Sequence, residues 1–462
     1  MVEVNVKGGT IKGISDGQID RFLGIPYAQP FNAASRFKHS QLNHGIGNSN
    51  IDARKAQSIP PQPYNALEDF FSTQQNGFNS FIQNENCLYL NIWRKSCSNK
   101  IKPVVVYFYG GGFTQGHGTA ELYNPYHIVE NEDIIVITFN YRLGALGFLD
   151  WSALNPQFDY NNGLSDQMNA LKWVHHYIEY FGGDPNNVTL MGQSAGSMSI
   201  LALMQVPELD MYYHKVMLLS GALFNETKEN APLKANHFST LINTYYPGKS
   251  LESLTHEDIL RLMELHESER GKSRSLDLIY RPIQSPIMTR TIDDFPKPVF
   301  MSFTNSEGDI YIEDESRTLS PSRFVEVMKL YDIEISENHA QTAEQQRDLI
   351  TQYYFKEPTI DLLQHIHTPH KWLARFDWCR PNSTHFKTAY HILDIVFWFG
   401  HLDILTTNQY DIIKSDIDLS QRMISDLAYF ARYSEMPWSP YQRDTQSTFI
   451  YKSNWYAHLL YS

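Results

Sequence analysis

Cysteine is scarce: Cys87, Cys97 and Cys379 are the only three in 462 residues. Thiols so few and so scattered exclude a disulfide framework and give no zinc-ligand spacing. Positive charge is short as well. Lys and Arg total 38 against 51 Asp and Glu, a formal net charge of −13. That balance leaves no basic footprint for nucleic acid, and the acidic excess serves solubility. No apolar run approaches the roughly 18 residues of a membrane-spanning helix. The first residues, Met1-Val2-Glu3-Val4-Asn5-Val6-Lys7, alternate polar and apolar and lack the basic start and apolar core of a secretory signal. The expectation is a cytoplasmic protein with no nucleic-acid or membrane partner, in which the sequon Asn225-Glu226-Thr227 carries no meaning.

What is present is globular. Hydrophobic residues make up 42% and charged residues 19%, and aromatics reach 13%, enough to line pockets as well as fill a core. The N-terminal stretch alternates short strand-like runs with the turns Gly8-Gly9 and Asp16-Gly17, an antiparallel meander. Further on the pattern changes. Val104–Tyr109 and Ile134–Phe139 are continuous apolar runs, as expected of parallel strands covered by helices on both faces. Leu164, Met168, Leu171, Val174, Ile178 and Phe181 recur at steps of three and four, one face of a helix that Gly182-Gly183 stops. Strands are expected again at Val188–Met191, Lys215–Leu219, Val299–Phe303 and Trp372–Phe376. Strand and helix in alternation indicate a doubly wound α/β architecture. We expect one catalytic domain over 1–462 with a helical or regulatory insertion at 224–295 and a helical insertion at 310–370. The chain shows no internal repeat and no low-complexity tract, and nothing in it fixes an oligomeric state.

The chemistry concentrates at Gly192-Gln193-Ser194-Ala195-Gly196. A Gly-x-Ser-x-Gly turn alone can be an ordinary glycine-serine turn. With a buried strand before it and a helix after it, it becomes a nucleophile elbow, in which small neighbours let a sharp turn expose the serine hydroxyl. Gly110-Gly111-Gly112-Phe113 directly follows the strand Val104–Tyr109. Glycines let backbone amides approach a developing oxyanion, and Ala195 would add another amide. The loop lacks a P-loop lysine and the G-x-G-x-x-G pattern, so it is not a nucleotide site. In this kind of fold the acid and then the histidine follow the serine along the chain. Glu307 or Asp309, after the strand ending near Thr304, is the acid, with Glu307 preferred because it precedes Gly308. His385, His391 and His401 compete for the base. His391 directly precedes the apolar run Ile392–Gly400, whereas most lone histidines and loop carboxylates are merely structural or solvated.

Long stretches resemble the type-B carboxylesterases, the family of para-nitrobenzyl esterases, liver-type carboxylesterases and cholinesterases. They are Phe22-Leu23-Gly24-Ile25-Pro26-Tyr27-Ala28 with Arg36-Phe37, Glu85–Trp93, Asn140–Phe148, Asp166-Gln167 through Pro185, and Trp438-Ser439-Pro440-Tyr441. The resemblance implies an α/β-hydrolase fold: a large, mostly parallel central sheet flanked by helices, with an N-terminal antiparallel meander and helical insertions. It implies Ser194 as nucleophile, Glu307 as acid, His391 as base, Gly111, Gly112 and Ala195 as oxyanion donors, and Ser220 as a buried support behind the triad. The implied activity is two-step hydrolysis of a small carboxylic ester through an acyl-enzyme, with no cofactor and no metal. Amide, thioester or lipid-ester hydrolysis on the same triad is the alternative. A non-catalytic binding member of the fold is disfavoured because every triad position is filled. The chain departs from the family at Gln193 (usually Glu), at Tyr109 (His in many bacterial members), at Ile392 (usually Gly) and after Arg281-Pro282-Ile283, where the usual Asp-Gly is missing. Cys87 lacks the partner it has in secreted relatives, which fits a reducing compartment. Gln193 takes a charge away from the site, so an uncharged substrate is expected.

Overall fold

A computed structural model of the protein describes residues 1–44, 49–74, 77–96, 100–221, 225–269, 271 and 276–453. Cys97, and Phe224 at the start of the first expected insertion, lie outside the described residues. One twelve-stranded sheet organises the chain. Its strands are β1 (Val2–Val6), β2 (Gly9–Ser15), β3 (Ile19–Pro26), β4 (Ser49–Asp52), β5 (Tyr89–Lys95), β6 (Lys102–Phe108), β7 (Ile135–Phe139), β8 (Gly183–Gln193), β9 (Lys215–Leu219), β10 (Val299–Thr304), β11 (Lys371–Phe376) and β12 (Phe449–Tyr451). The spatial order is β1-β2-β3-β5-β7-β6-β8-β9-β10-β11-β12, with β4 beside β2. Pairing is antiparallel from β1 to β3 and through β5 to β7. From β7 to β12 every pair is parallel. This is the α/β-hydrolase fold.

The sequence pattern explains the division. β1 alternates exposed and buried residues, as a strand with one wet face does. Every residue of β7, β9 and β10 is buried, because helices cover both faces there. The helix Asn162–Tyr177 buries Leu164, Leu171, Trp173 and Val174, and Gly182 ends the following turn at φ 79°. Residues 231–268 form two further helices, Ala231–Tyr245 and His256–Ser268. Residues 321–329 and 343–365 are also helical. The aliphatic and aromatic side chains fall into two hydrophobic clusters: a large one around the sheet, and a small one of Leu276, Ile312, Phe324, Met328, Tyr354, Phe355 and neighbours. Among the described residues no helix is long and apolar enough to cross a membrane.

One buried ion pair joins two of the motif blocks. Arg142 Nε and Nη2 donate to Asp166 at 2.8 and 2.7 Å, and both side chains are buried. Nη1 and Nη2 also donate to the carbonyls of Lys38 and Asn162 at 2.8 and 3.1 Å. Arg142 therefore ties the loop after β7 to the segment before β4 and to the helix Asn162–Tyr177. Removing one partner of a buried pair strands the other charge. Asp166→Ala should lower the free energy of unfolding by about 3–5 kcal/mol, read by urea denaturation; a loss below about 1 kcal/mol would show that the carbonyls alone suffice for Arg142.

Candidate active site

The elbow lies where β8 turns into the helix Ala195–Met204. Ser194 has φ 54° and ψ −123°, a region that costs a non-glycine residue on the order of 1–3 kcal/mol. The sheet holds it there. Its N–H donates to the Leu219 carbonyl at 2.9 Å, and its own carbonyl accepts the Met198 N–H at 2.9 Å. The helix then crosses β6 so closely that a Cβ on residue 196 would lie 2.0 Å from the Phe108 carbonyl oxygen, which is why glycine stands there.

Glu307 follows β10 and is fully buried. A buried carboxylate needs donors, and it has three. Thr304 N–H and Ser220 Oγ–H each donate to Oε1 at 2.6 Å, and His391 Nδ1 lies 2.5 Å from Oε2. Ser220 stands just beyond β9 with its backbone in the left-handed region at φ 49°, and its N–H donates to Ser302 O at 2.8 Å. The acid loop rests on the helical segment beyond it. Gly308 N–H donates to Thr351 Oγ1 at 2.9 Å, and a Cβ at 308 would lie 2.1 Å from the Arg347 carbonyl oxygen.

His391 is held from two sides. A bridge between Ser306 and Tyr390, with Ser306 N–H donating to Ala389 O at 2.9 Å, joins its loop to the acid loop. Behind it, every residue of the helix Leu393–Phe399 is buried. Ile392 links loop to helix at φ 76°, ψ −18°. This β-branched residue thus adopts the left-handed geometry that the glycine usual at this position takes without strain. The rings of Phe355 and Tyr311 flank the imidazole at 4.9 and 5.8 Å between centroids.

With its Nδ1 proton directed at Glu307, His391 presents Nε2 as an acceptor. The group within hydrogen-bond distance of that nitrogen is the side-chain amide of Gln193, at 3.1 Å. The Ser194 hydroxyl makes no hydrogen bond with a described residue, and neither do the amides of Gly111, Gly112 and Ala195. Ser194, His391, Gln193 and these three residues all line one cleft of about 1260 Å³. Its walls include Phe70, Phe71, Tyr123, Leu278 and Phe355, and six carboxylate residues line it (Glu68, Glu264, Glu267, Asp277, Asp309 and Glu313) against one arginine, Arg317. Among the described residues no group of three or more His, Cys, Asp or Glu is placed to hold a metal ion.

The competing candidates make other contacts, although Asp309 and His385 also line the cleft. Asp309 accepts from Thr388 Oγ1 at 2.5 Å and pairs with Arg347 at 3.5 Å, and burial pushes its carboxyl above the ordinary range. His385 is exposed, its ring 5.5 Å from that of Phe70. His401 binds the Asn124 carbonyl at 2.6 Å, and burial lowers its affinity for a proton. Tyr109 does not enter the cleft: it is fully buried and stacks on Tyr141 at 4.4 Å.

Two features escaped the sequence. The contact of Gln193 with His391 leaves no local signal, because the partners are 198 positions apart. The other is a seven-residue π-helix, Ile350–Lys356, between the α-helices Ala343–Leu349 and Glu357–His365. Pro358 was its signal. Proline inside a helix lacks an N–H and clashes with the carbonyl four residues back, here Tyr354, and the wider π-turn absorbs that defect. The same turn presents Phe355 to His391.

The strand order and the elbow beyond β8 define a serine hydrolase of the α/β-hydrolase class. The sequence profile of the carboxylesterase family matches residues 1–266. A para-nitrobenzyl esterase of Bacillus subtilis (strain 168) is 30% identical over 476 aligned residues, spanning 97% of this chain and 94% of that protein. Mouse cholinesterase is 34% identical over 238 residues, 51% of this chain and 38% of that protein. A solved thermophilic para-nitrobenzyl esterase superposes with a TM-score of 0.87 at 28% identity, covering 98% of this chain and 96% of that one. The chain belongs to the carboxylesterase family and is a carboxylic ester hydrolase acting on small esters.

The close approach at Gly308 gives a test that leaves every polar group of the site in place. In Gly308→Ala the new methyl meets the backbone of Arg347, so the loop carrying Glu307 must shift. A misplacement near 1 Å costs roughly 10²-fold in rate. We expect kcat to fall by about that factor in steady-state assays while the main unfolding transition is kept; unchanged kcat would mean that the loop absorbs the methyl freely.

Proposed function

We propose that Ser194 is the nucleophile, His391 its general base and Glu307 the carboxylate that orients the base, with Gly111, Gly112 and Ala195 as oxyanion donors and Ser220 supporting Glu307. The observation that carries this reading is the buried chain from Ser220 through Glu307 to His391, opening on the same cleft as the strained Ser194 and three unpartnered amides. His391 takes the Ser194 proton as the hydroxyl attacks the ester carbonyl, and the amides receive the tetrahedral oxyanion. Glu307 holds the tautomer and offsets the imidazolium charge. His391 then returns the proton to the leaving alcohol, and water repeats the sequence on the acyl-enzyme.

The substrate we infer is an uncharged ester. Gln193 puts no fixed charge beside Ser194, and a cleft lined by six carboxylate residues and one arginine disfavours anionic esters. We also place the protein in a reducing compartment such as the cytoplasm. Cys87 supports this as a free, fully buried thiol that burial holds protonated.

Ser194→Ala should lower kcat on a short-chain aryl ester by roughly 10³-fold or more with the fold intact. It should also end covalent labelling by an organophosphonate. Labelling retained at another serine would reject the nucleophile. The acid is tested by a pair: Glu307→Gln should be severely impaired in kcat, and Asp309→Asn should stay near normal. The reverse outcome would transfer the role to Asp309.

A further inference from the structure

We propose that Gln193 is a positioning residue for the base: its amide keeps His391 neutral between turnovers and so sets how far into acid the enzyme works. The proposal rests on the reading of His391 as the general base.

Gln193 and His391 are both buried, and the Gln193 amide nitrogen lies 3.1 Å from His391 Nε2. Because the Nδ1 proton is directed at Glu307, Nε2 is an acceptor, so the NH₂ end of the amide is the end that faces it. A hydrogen bond donated to the lone pair favours the neutral ring. The other end of the amide is packed against the glycine loop: Oε1 lies 2.4 Å from where a Cβ on Gly110 would stand, and it is buried without a hydrogen-bond partner. A buried acceptor left unpaired is costly. It gains a purpose during turnover. When an ester fills the cleft, the Ser194 hydroxyl replaces the amide as donor to Nε2 and passes its proton there. A half-turn of the amide then presents Oε1 to the new Nε2–H. The side chain can thus meet the ring in both protonation states without itself gaining or losing a proton.

Glutamate, usual at this position in the family, cannot do this, because its carboxylate only accepts. It would favour the protonated ring, which cannot take the serine proton. Among the described residues, the ionisable groups that contact or neighbour His391 include Glu307 in direct contact and Tyr311 beside the ring, and Asp394 lies three positions on in the helix that follows. Burial pushes the Tyr311 phenol up, and pushes the Asp394 carboxyl up to about 8. The Tyr311 phenol therefore stays protonated through the limb in question, and Asp394, whose ionisation at about 8 falls where the Gln193→Glu limb is expected, is common to all three enzymes, so the differences between their limbs are what is read.

The test is the pH profile of kcat/KM on a neutral aryl ester for the wild type, Gln193→Glu and Gln193→Met, each normalised to sites titrated with an organophosphonate. An opposite charge at contact distance moves such an ionisation by about 1–3 pH units. The acid limb of Gln193→Glu should move up by about that much, with activity regained at higher pH. The limb of Gln193→Met should move up less, since a donor is lost and no charge arrives. A Glu variant whose limb coincides with that of the wild type overturns the proposal. So does a lowered plateau with an unmoved limb in both variants, the mark of a purely structural residue. Should the Glu variant take up no label, the Met variant decides, and an unmoved limb there is again refutation. A fully active His391→Ala enzyme would instead remove the base assignment itself, a failure visible without any change at Gln193.

Discussion

The structure depends on satisfying the hydrogen-bonding demand of one completely buried carboxyl group. Glu307 is completely buried, and its three donors come from three places in the sheet: the end of β10, the residue just past β9, and the loop after β11. An ionised carboxylate in such a place is costly unless it is fully hydrogen-bonded. The parallel order β9-β10-β11 brings all three donors to one edge. Any rearrangement that separated those strand ends would leave the charge bare. The sheet and the site therefore constrain each other, and the left-handed backbone of Ser194, Ser220 and Ile392 is tolerated because the surrounding strands and helices over-determine it.

Much of this was legible in the sequence, and the reasons differ from element to element. The parallel strands appear as continuous apolar runs because both faces are covered, and the antiparallel ones alternate because one face is wet. The elbow was legible because its steric demand is local: a glycine is needed where the helix crosses Phe108. The base was not. His385, His391 and His401 sit in similar loop or helix-end contexts, and only tertiary contacts separate a ring buried between Glu307 and Gln193 from one resting on Phe70 and one bound to Asn124. The helical character of the insertion expected at 310–370 was legible from composition, but that reading did not set apart residues 350–356, which wind as a π-turn just before Pro358.

Charge is distributed by depth. The chain carries a formal −13, and acidic residues line the cleft. At the reacting centre, by contrast, the charges are few and balanced. Glu307 is compensated by its donors, and the neighbour of Ser194 is an amide. Long-range fields from the mouth guide what approaches, whereas the hydrogen bonding of His391 is set by contacts a few ångströms long. The two can vary separately, because screening attenuates the first and barely reaches the second.

The division into two hydrophobic clusters has a consequence for how this protein can change over generations. Phe355 belongs to the small cluster, yet its ring touches His391. Substitutions among Phe324, Met328 and Tyr354 repack that cluster, and the cluster also includes residues of the helical segment on which Gly308, next to Glu307, rests. Sites that share partners in this way do not add their effects independently. The wall beside the imidazole and the seat of Glu307 therefore drift together, and a lineage that reshapes the one for new esters has to preserve the other through the same helical segment.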